Sequence, residues 1–270
     1  MKMPRLKTIL LTPVVLFVVL YAALAIRVAT YDNTAPVAAG LPASLDTIAI
    51  FGASGTAGDG ILKAALANPD IKKIHVITRR TTPRIEAGVA SGKVQMTQHM
   101  DYLDYAAIRE QMADADAVFW AIGISSVGVD EETYRRIHVD FPLQFVREWT
   151  SVSSKPDISF HFISSSDISE DSTTMWVRVK IQSEKELFDF ARDSKLRVIA
   201  YRPDYIGPTD EEAHMGQKLL YWFFAPIGVA VKATQIGQAM LEVAARGDEF
   251  ANGDKLSNWR IIRYSDAYEL

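Results

Sequence analysis

The sequence predicts an α/β fold, a doubly wound and mostly parallel sheet with helices on both faces, preceded by one N-terminal transmembrane helix. Three observations support this prediction. Short apolar runs alternate with helical stretches from Asp46 onward, a glycine-rich loop joins the first run to the first helix, and an uncharged stretch covers Thr8 to Ile26. Alternation of this kind implies right-handed crossovers between parallel strands that are buried on both faces.

The composition limits the classes of function that this chain can have. It has 270 residues, of which 49% are hydrophobic, enough to bury one sizeable core. Lys and Arg number 29 against 33 Asp and Glu, a net charge of −4 without a basic block, so we expect no nucleic-acid partner. The absence of cysteine excludes disulfides, thiolate zinc sites and cysteine nucleophiles. The five histidines show no metal-ligand spacing, and we expect no metal.

The N-terminal stretch is long enough to cross a membrane. As a helix, Thr8 to Ile26 would be about 28 Å long, and Lys2, Arg5 and Lys7 precede it. A cleaved signal peptide is the alternative, since Ala23-Leu24-Ala25 has the small-x-small form of a cleavage site. The apolar core of a signal peptide is normally shorter, so we interpret the stretch as an uncleaved, single-pass anchor.

Changes of composition divide the chain into three parts. Residues 1–27 form the predicted membrane anchor, and residues 28–45, rich in Ala, Pro and small polar residues, form a linker. Residues 46–270 form the globular domain. The part after Pro203 is less regular, and we expect it to cover a substrate. Within it, Leu219 to Val231 is apolar and aromatic but too short to span a bilayer, so it is a candidate for a substrate pocket, a membrane-interface segment or a buried helix.

Apolar runs and helical periodicity place the elements of the domain in order. The predicted strands are Thr47 to Phe51, Ile74 to Thr78, Val94 to Thr97, Ala117 to Ile122, Ile158 to Ser164 and Val198 to Tyr201. The predicted helices are Gly58 to Ala67, Tyr105 to Ala113, Glu131 to Thr150 and Trp176 to Ser194. The two longest helices are candidates for a dimer face or for core helices.

The loop after the first strand has three glycines at three-residue spacing, Gly52, Gly55 and Gly58. Glycines at a strand-to-helix turn let a diphosphate approach the backbone, and the amides of the helix N-terminus then face the anion. The pattern therefore predicts a dinucleotide site. Its predicted contact residues are Gly52, Ser54, Gly55, Thr56, Ala57 and Gly58. The alternative is a tight turn that binds no ligand.

Three further positions fit a dinucleotide. Arg79 and Arg80 end the second strand, where arginine can bind a 2′-phosphate, so they favour NADP over NAD. Asp101 follows the third strand, where a carboxylate can accept from the adenine amine. Gly123 ends the fourth strand, where a small residue lets a cofactor reach the backbone. The alternatives are solvated arginines, a helix-capping aspartate and a turn glycine.

The fifth strand is followed by Ser164-Ser165-Ser166 and then by a helix that carries Trp176 and Lys180 one turn apart. Together with the glycine loop, Arg79-Arg80, Asp101 and Tyr201-Arg202-Pro203, these residues resemble the atypical short-chain dehydrogenase/reductase family. The resemblance is greatest to its Tat-interacting oxidoreductase-like branch with NmrA-like relatives, and it covers about residues 46 to 264. It implies an NAD(P)-binding Rossmann domain.

The resemblance also implies an active site. In that family a serine positions the substrate oxygen, a Tyr-x-x-x-Lys pair supplies the general acid, and the lysine holds the nicotinamide ribose. The matching residues are Ser165, or Ser164, and Lys180, while Trp176 stands at the tyrosine position. An indole N–H donates a hydrogen bond but does not act as an acid near neutral pH. The alternatives are a core tryptophan, a solvated lysine and serines that cap a strand.

Two functions follow from these residues. The first is a membrane-anchored NADP-dependent oxidoreductase acting on a lipophilic carbonyl or alcohol. The second is an NADP-binding regulatory or scaffold protein at the membrane, which Trp176 favours because it removes chemistry without removing binding. The side of the membrane stays open. Three basic residues precede the span and only Arg27 follows soon after it, which favours a cytoplasmic N-terminus and a domain outside the cell. A soluble cofactor, in contrast, is supplied inside the cell.

Overall fold

The structure, a computed structural model, describes residues 6–40, 42, 45–211 and 213–268, with side chains from Thr12 onward. The predicted anchor and domain extend beyond these ranges, and Lys2 and Arg5 of the basic flank lie outside them. The helices are α1 (Leu6–Thr30), α2 (Thr56–Ala67), α3 (Pro83–Ala90), α4 (Glu131–Arg135), α5 (Phe141–Val152), α6 (Met175–Ala191), α7 (Met215–Phe224), α8 (Ala233–Ala245) and α9 (Asn258–Ala267).

The described residues form one large parallel sheet and a small two-stranded one. The strands are β1 (Thr47–Phe51), β2 (Lys73–Thr78), β3 (Val94–Gln98), β4 (Ala117–Trp120), β5 (Ile158–Ile163), β6 (Leu196–Arg202), β7 (Tyr205–Gly207), β8 (Ala230–Lys232) and β9 (Lys255–Ser257). The large sheet has seven parallel strands in the order β3-β2-β1-β4-β5-β6-β9, and β7 pairs with β8. This order reverses direction between β1 and β4, as in doubly wound nucleotide-binding folds. The predicted fold class is confirmed.

The side chains of the strands alternate between two cores. On one face, Ile48 and Ile50 pack with α2, α3, α8 and α9. On the other, Ala49 and Phe51 pack with α5, α6 and the loop that holds Tyr105. Burial on both faces explains why the strands are continuous apolar runs.

The helix predicted over Tyr105 to Ala113 is wrong. The segment is a series of turns that ends in a short 3₁₀ stretch at Glu110–Met112. Its amides donate to carbonyls three residues back, as Ile108 does to Tyr105 and Met112 to Arg109. Tyr105, Ile108 and Met112 are buried on one side. Turns of this kind repeat almost as a helix does, so the apolar spacing does not distinguish them.

The part after Pro203 is more regular than the sequence predicts. It contributes α8, which packs closely on α2, and α9, which packs on α8. It also contributes β9, which pairs with β6 through Ala200, Tyr201 and Arg202. The segment is therefore part of the core as well as the cover of the carboxyl edge of the sheet.

The apolar helix α1 lies against the region before β8. The ring of Phe17 stacks on Phe223 at 6.3 Å between centroids, and Tyr21 donates from its hydroxyl to the carbonyl of Phe223 at 2.9 Å. Thr12–Thr30 has a mean hydropathy of 2.2, which makes this helix long and apolar enough to cross a membrane. A signal sequence would meet the same criterion.

Candidate functional site

A cleft of about 360 Å³ opens at the carboxyl ends of β1, β2 and β4, where the strand order reverses. Gly52 forms its floor with a positive φ of +79°. A Cβ on Gly52 would lie 2.8 Å from the backbone carbon and oxygen of Ala121, so no side chain fits there. The glycine therefore lets the end of β1 lie close to the end of β4, at the place where doubly wound folds bind dinucleotides.

The rest of the glycine loop turns the chain into α2. The amide of Gly55 donates to the carbonyl of Gly52 at 3.0 Å, and Gly55, which has no side chain to cap the helix, precedes its first residue, Thr56. Gly55 therefore leaves the first amides of the helix, those of Thr56 and Ala57 included, without a side-chain cap. These amides lie at the edge of the cleft. Gly58 has a different role. A Cβ there would lie 2.1 Å from the oxygen of Gly52, so it allows helix and strand to pack closely.

The end of β2 brings two cations to the cleft. Thr78, Arg79 and Arg80 line it together with Ser54 and Gly55. A guanidinium nitrogen of Arg80 donates to the carbonyl of Ser54 at 3.1 Å, and Thr78 Oγ1 lies 3.2 Å from Ser54 Oγ. The side chain of Arg80 thus crosses the glycine loop, and both arginines are exposed. This is a suitable arrangement for a phosphate group.

Asp101 lies at the edge of this region and is exposed. Its Oδ1 accepts a hydrogen bond from the amide of Leu103 at 3.0 Å, so Asp101 stabilises a turn and not the start of a helix, which was the alternative for this residue. The neighbouring Tyr102 lines the cleft instead. Tyr102 is 5% exposed, and burial raises its pKa to about 12, so its hydroxyl is protonated and able to donate.

Gly123 lines the opposite wall of the cleft, next to the imidazole of His138. A Cβ on Gly123 would lie 2.9 Å from His138 Cε1, so the glycine leaves room for this ring. His138 lies in a stretch of π-helix, Arg136–Asp140, between α4 and α5. Burial, with the charge of Lys180, lowers the pKa of His138 to about 3 and keeps the ring neutral.

Lys180 projects from α6 to the end of β5. Its Nζ donates to the carbonyl of Ile163 at 3.2 Å, and the residue is 8% exposed. Burial lowers the pKa of Lys180 to about 8, and the nearby carboxylate of Glu184 opposes that shift. The structure thus places this lysine beyond the end of β5 rather than on the wall of the first cleft.

A buried ionic network lies behind Lys180. Glu184 is 3% exposed and accepts from Ser164 Oγ at 2.6 Å and from Arg202 Nε at 2.9 Å. Lys255 Nζ lies 3.6 Å from the same carboxylate. Ser164 is therefore occupied by an internal partner. Of the two candidate serines, Ser165 has the more open position.

Ser165 lines a second cleft, of about 330 Å³, which lies on the carboxyl side of β5 and β6. Its wall consists of Ser165, Ser166, Asp167, Pro203, Asp204, Tyr205, Phe224 and Val229. Phe224 is the last residue of α7, and Phe223 beside it contacts α1. The second cleft is therefore bordered by polar groups on one side and by the end of an apolar helix on the other.

Trp176 is half-buried and packs with Tyr134, Val139 and Val179 beneath α4. It lines neither of the two clefts. With a tryptophan at position 176, the side chains of Tyr201, Tyr205 and Asp167 are candidates for a substitute acid. Tyr201 is fully buried, and its hydroxyl lies 2.9 Å from His161 Nδ1. Asp167 and Tyr205 share the second cleft with Ser165.

Sequence reasoning missed several residues of this region. Glu184 lies one helical turn after Lys180, a spacing that could have indicated their shared face. His138 could not be found, because its approach to Gly123 depends on the π-helical stretch. Among the residues that the structure describes, no group of three or more His, Asp or Glu side chains could hold a metal ion.

Neither the family models nor the curated proteins contain a match to this chain. Solved structures do match. A short-chain dehydrogenase/reductase from Serratia marcescens has a TM-score of 0.59 at 16% identity, covering 78% of this chain and 95% of that one. A 3-oxoacyl-[acyl-carrier protein] reductase from Brucella melitensis, solved in complex with NAD, has a TM-score of 0.62 at 17% identity, covering 80% and 96%.

A third match shows that this fold carries more than one reaction. The UDP-glucuronic acid 4-epimerase from Bacillus cereus, in complex with NAD, has a TM-score of 0.60 at 14% identity and covers 78% of this chain and 76% of that one. Identities this low establish the fold alone. From its strand order, the glycine turn at the reversal point and these matches, we conclude that the chain has the Rossmann-type fold of short-chain dehydrogenases/reductases.

Proposed function

We propose that the protein binds NADP in the first cleft and acts as a membrane-tethered oxidoreductase on a lipophilic carbonyl or alcohol. The observation that carries the cofactor assignment is the floor of the cleft, where Gly52 admits no Cβ and the uncapped start of α2 adjoins it. Arg79 and Arg80 at the same cleft support NADP over NAD, because two guanidinium groups suit the extra phosphate. The contact residues would be those of the glycine loop, with Gly123 on the facing wall.

The residues around Lys180 fit the nicotinamide end. When bound, the nicotinamide would supply or accept the hydride. Lys180 is a buried amine with a pKa of about 8, able to donate to a ribose hydroxyl, while Ser165 is placed to hold a substrate oxygen. With Trp176 outside both clefts, proton delivery falls to water or to a polar group of the second cleft, of which Tyr205 and Asp167 are the candidates.

The second cleft supports a lipophilic substrate. Phe224 and Val229 give it an apolar side, and α7 exposes Leu219 at 65% and Trp222 at 79% of their surfaces. Since α7 also lies against α1, an apolar molecule could pass from a bilayer to Ser165 along this helix. The tether itself is α1, whose packing on the domain supports an uncleaved anchor.

One experiment tests the enzymatic part of this proposal. The purified full chain in detergent is incubated with NADPH and a panel of lipophilic aldehydes and ketones, beside a Trp176→Tyr variant. Oxidation of NADPH by the unmodified chain, dependent on the carbonyl, is the expected result. An inert native chain would overturn the oxidoreductase assignment and favour the second function, whether or not the variant is active.

That second function is an NADP-dependent regulatory or scaffold protein at the membrane. It is favoured by Trp176, which occupies a hydrophobic cluster with Tyr134 and Val179 and offers no titratable group at neutral pH. Calorimetry would then detect NADPH binding, while bound NADPH would never be oxidised. Absence of binding for both NADPH and NADH at millimolar concentration would contradict both functions.

A further inference from the structure

A separate cleft, of about 480 Å³, lies where α1 meets the domain. Three arginines line it: Arg27 in the last turn of α1, and Arg260 and Arg263 on α9. The one acidic residue on its wall is Asp32, whose carboxylate already accepts a hydrogen bond from the amide of Thr34. Three positive charges thus face one negative charge on this wall, which favours an anion. The charge of Arg260 also reaches Glu249, a carboxylate that does not line the wall.

The arginines are held in place by the fold. Arg260 donates to the carbonyl of Lys255 at 3.0 Å, and Arg263 donates from Nε to the carbonyl of Thr34 at 2.9 Å. Arg260 also packs over the ring of Phe250 and interacts with the hydroxyl of Tyr264. A guanidinium has five N–H donors, so Arg263 keeps more of them available than Arg260 does. The remaining donors can bind phosphate oxygens, a group that arginine suits particularly well.

Aromatic and apolar groups place the same cleft at the level of a membrane interface. Tyr31 and Trp259, whose ring centroids are 4.9 Å apart, both line it, and these residue types concentrate at the headgroup level of membranes. On the side toward the middle of α1, the wall continues into Leu24, and Leu20 beyond it is 55% exposed. Acyl chains would find an apolar surface directly beside the basic one.

We propose that this cleft binds the headgroup of an anionic phospholipid, with the phosphate between Arg27, Arg260 and Arg263 and the acyl chains along α1 and α7. The proposal rests on the proposed membrane tether, since the cleft faces lipid only if α1 lies in a bilayer. It is independent of the cofactor and of the reaction. Its effect is to fix the orientation of the domain on the membrane surface.

Trp259 makes the site measurable. The full chain with Trp222→Phe, which removes an exposed tryptophan from α7, is reconstituted into phosphatidylcholine vesicles. Two titrations are compared. One series of vesicles contains increasing fractions of phosphatidylglycerol brominated on its acyl chains, and the other contains increasing fractions of phosphatidylcholine brominated in the same way. Quenching of tryptophan fluorescence is recorded in both. Brominated phosphatidylglycerol should reach half-maximal quenching at a mole fraction at least about fivefold lower than brominated phosphatidylcholine, because one arginine near the surface strengthens binding by about that factor.

Two double variants in the same Trp222→Phe chain test whether the arginines of the cleft cause the preference for phosphatidylglycerol. Arg260→Gln with Arg263→Gln should remove the preference for phosphatidylglycerol. The matched control is Arg147→Gln with Arg192→Gln, which removes as much charge from the opposite side of the sheet, at α5 and after α6, and should leave the preference unchanged. Equal loss in both variants would indicate net charge alone and overturn the site.

The outcomes separate the two proposals. If both brominated lipids quench equally in the starting chain, α1 lies in the bilayer and the headgroup site is wrong. If neither lipid quenches, the membrane tether is wrong and the site with it. Inorganic phosphate at ~10 mM should weaken the preference more than chloride at equal ionic strength, because phosphate competes for the same arginines. Equal weakening by the two salts would indicate charge screening alone and would overturn the phosphate site.

Discussion

Single glycines decide the shape of the candidate cofactor cleft, because they have no side chain. Gly52 is constrained twice, by its positive φ and by the backbone of Ala121. Gly58 is constrained by packing against the backbone of Gly52 and Ala53. The three-residue spacing predicted this loop, and Gly52 and Gly58 each have a separate steric cause. It could not predict that Asp101 would cap a turn while Tyr102 faced the cleft, because that choice depends on loop geometry.

The steric role of Gly52 predicts a specific loss in Gly52→Ala. The new Cβ would lie 2.8 Å from the backbone of Ala121, so the loop must shift and NADPH binding should weaken at least tenfold. Gly92→Ala is the matched control, with a φ of +78° and nothing within 4 Å of its Cβ. It should cost only the backbone strain of about 1–2 kcal/mol and leave binding intact. Equal binding by both variants, measured by calorimetry, would contradict the role of Gly52.

The buried amine of Lys180 predicts a dependence of stability on pH. Burial lowers its pKa from 10.5 to about 8. Below pH 8 the amine is charged in both the folded and unfolded states, so the folded state bears the cost in full, about 3 kcal/mol. Between pH 8 and pH 10.5 the unfolded chain holds more protons, and the free energy of unfolding should rise with pH as the cost is relieved.

Lys180→Met tests this dependence. At pH 7 the variant should be more stable by about 2 kcal/mol, the cost of the buried charge less about 1 kcal/mol for the lost hydrogen bond to Ile163. The gain should disappear toward pH 10, and NADPH binding should weaken. Lys185→Met, an exposed lysine on the same helix, should show neither effect. A gain that is constant across this pH range, in chemical unfolding followed by fluorescence, would contradict the assignment.

At the scale of elements, the strands were predictable and the second half of the domain was not. Strands buried on both faces are short apolar runs, and every strand predicted up to Tyr201 is present within two residues of its predicted ends. In contrast, β9 has one apolar residue, Leu256, between Lys255 and Ser257, so its place beside β6 comes from tertiary pairing alone. The helix α8 was predictable in principle, because Ile236, Met240 and Val243 recur at helical spacing.

Two helical glycines should respond in opposite ways to replacement by alanine, because only Gly237 lies where α8 packs on α2. A Cβ on Gly237 of α8 would lie 2.7 Å from the oxygen of Gly60 in α2, so Gly237→Ala should destabilise the protein by about 1–3 kcal/mol. A Cβ on Gly216 of α7 would have only a contact at 3.5 Å, so Gly216→Ala should stabilise it by about 0.5–1 kcal/mol. Thermal unfolding of both variants checks the signs. A stabilised Gly237→Ala variant would show that the two helices separate more easily than the structure indicates.

At the scale of the whole molecule, one apolar helix, one apolar surface and one basic cleft lie on the same side. The anchor α1 contacts Phe223 near its middle and the wall of the basic cleft near its end. The sequence predicted the anchor from hydropathy, but the joint surface depends on residues brought together from both ends of the chain. If α1 is the membrane tether that we propose, the domain would rest on the membrane rather than extend away from it.

The proposed cofactor predicts the side of the membrane. NADP is supplied inside the cell, and we give this more weight than the basic residues before the span, which alone would favour a cytoplasmic N-terminus. We therefore expect the domain in the cytoplasm. Since the chain has no cysteine, Val127→Cys, at a site 86% exposed, gives one thiol for labelling. A membrane-impermeant maleimide should react only after permeabilisation of the cells. Labelling of intact cells would place the domain outside.

The close packing of α2 with α8 has a consequence for synthesis. The ribosome makes α2 early and α8 much later, so the face of α2 that α8 covers remains bare while the intervening chain is translated. With α1 as the proposed tether, α1 would leave the exit tunnel and enter the bilayer before α8 is made. The nascent domain would then be held at a membrane with an apolar face uncovered, a state that chaperones commonly shield. Maturation of the protein should accordingly be slow and sensitive to the supply of such helpers.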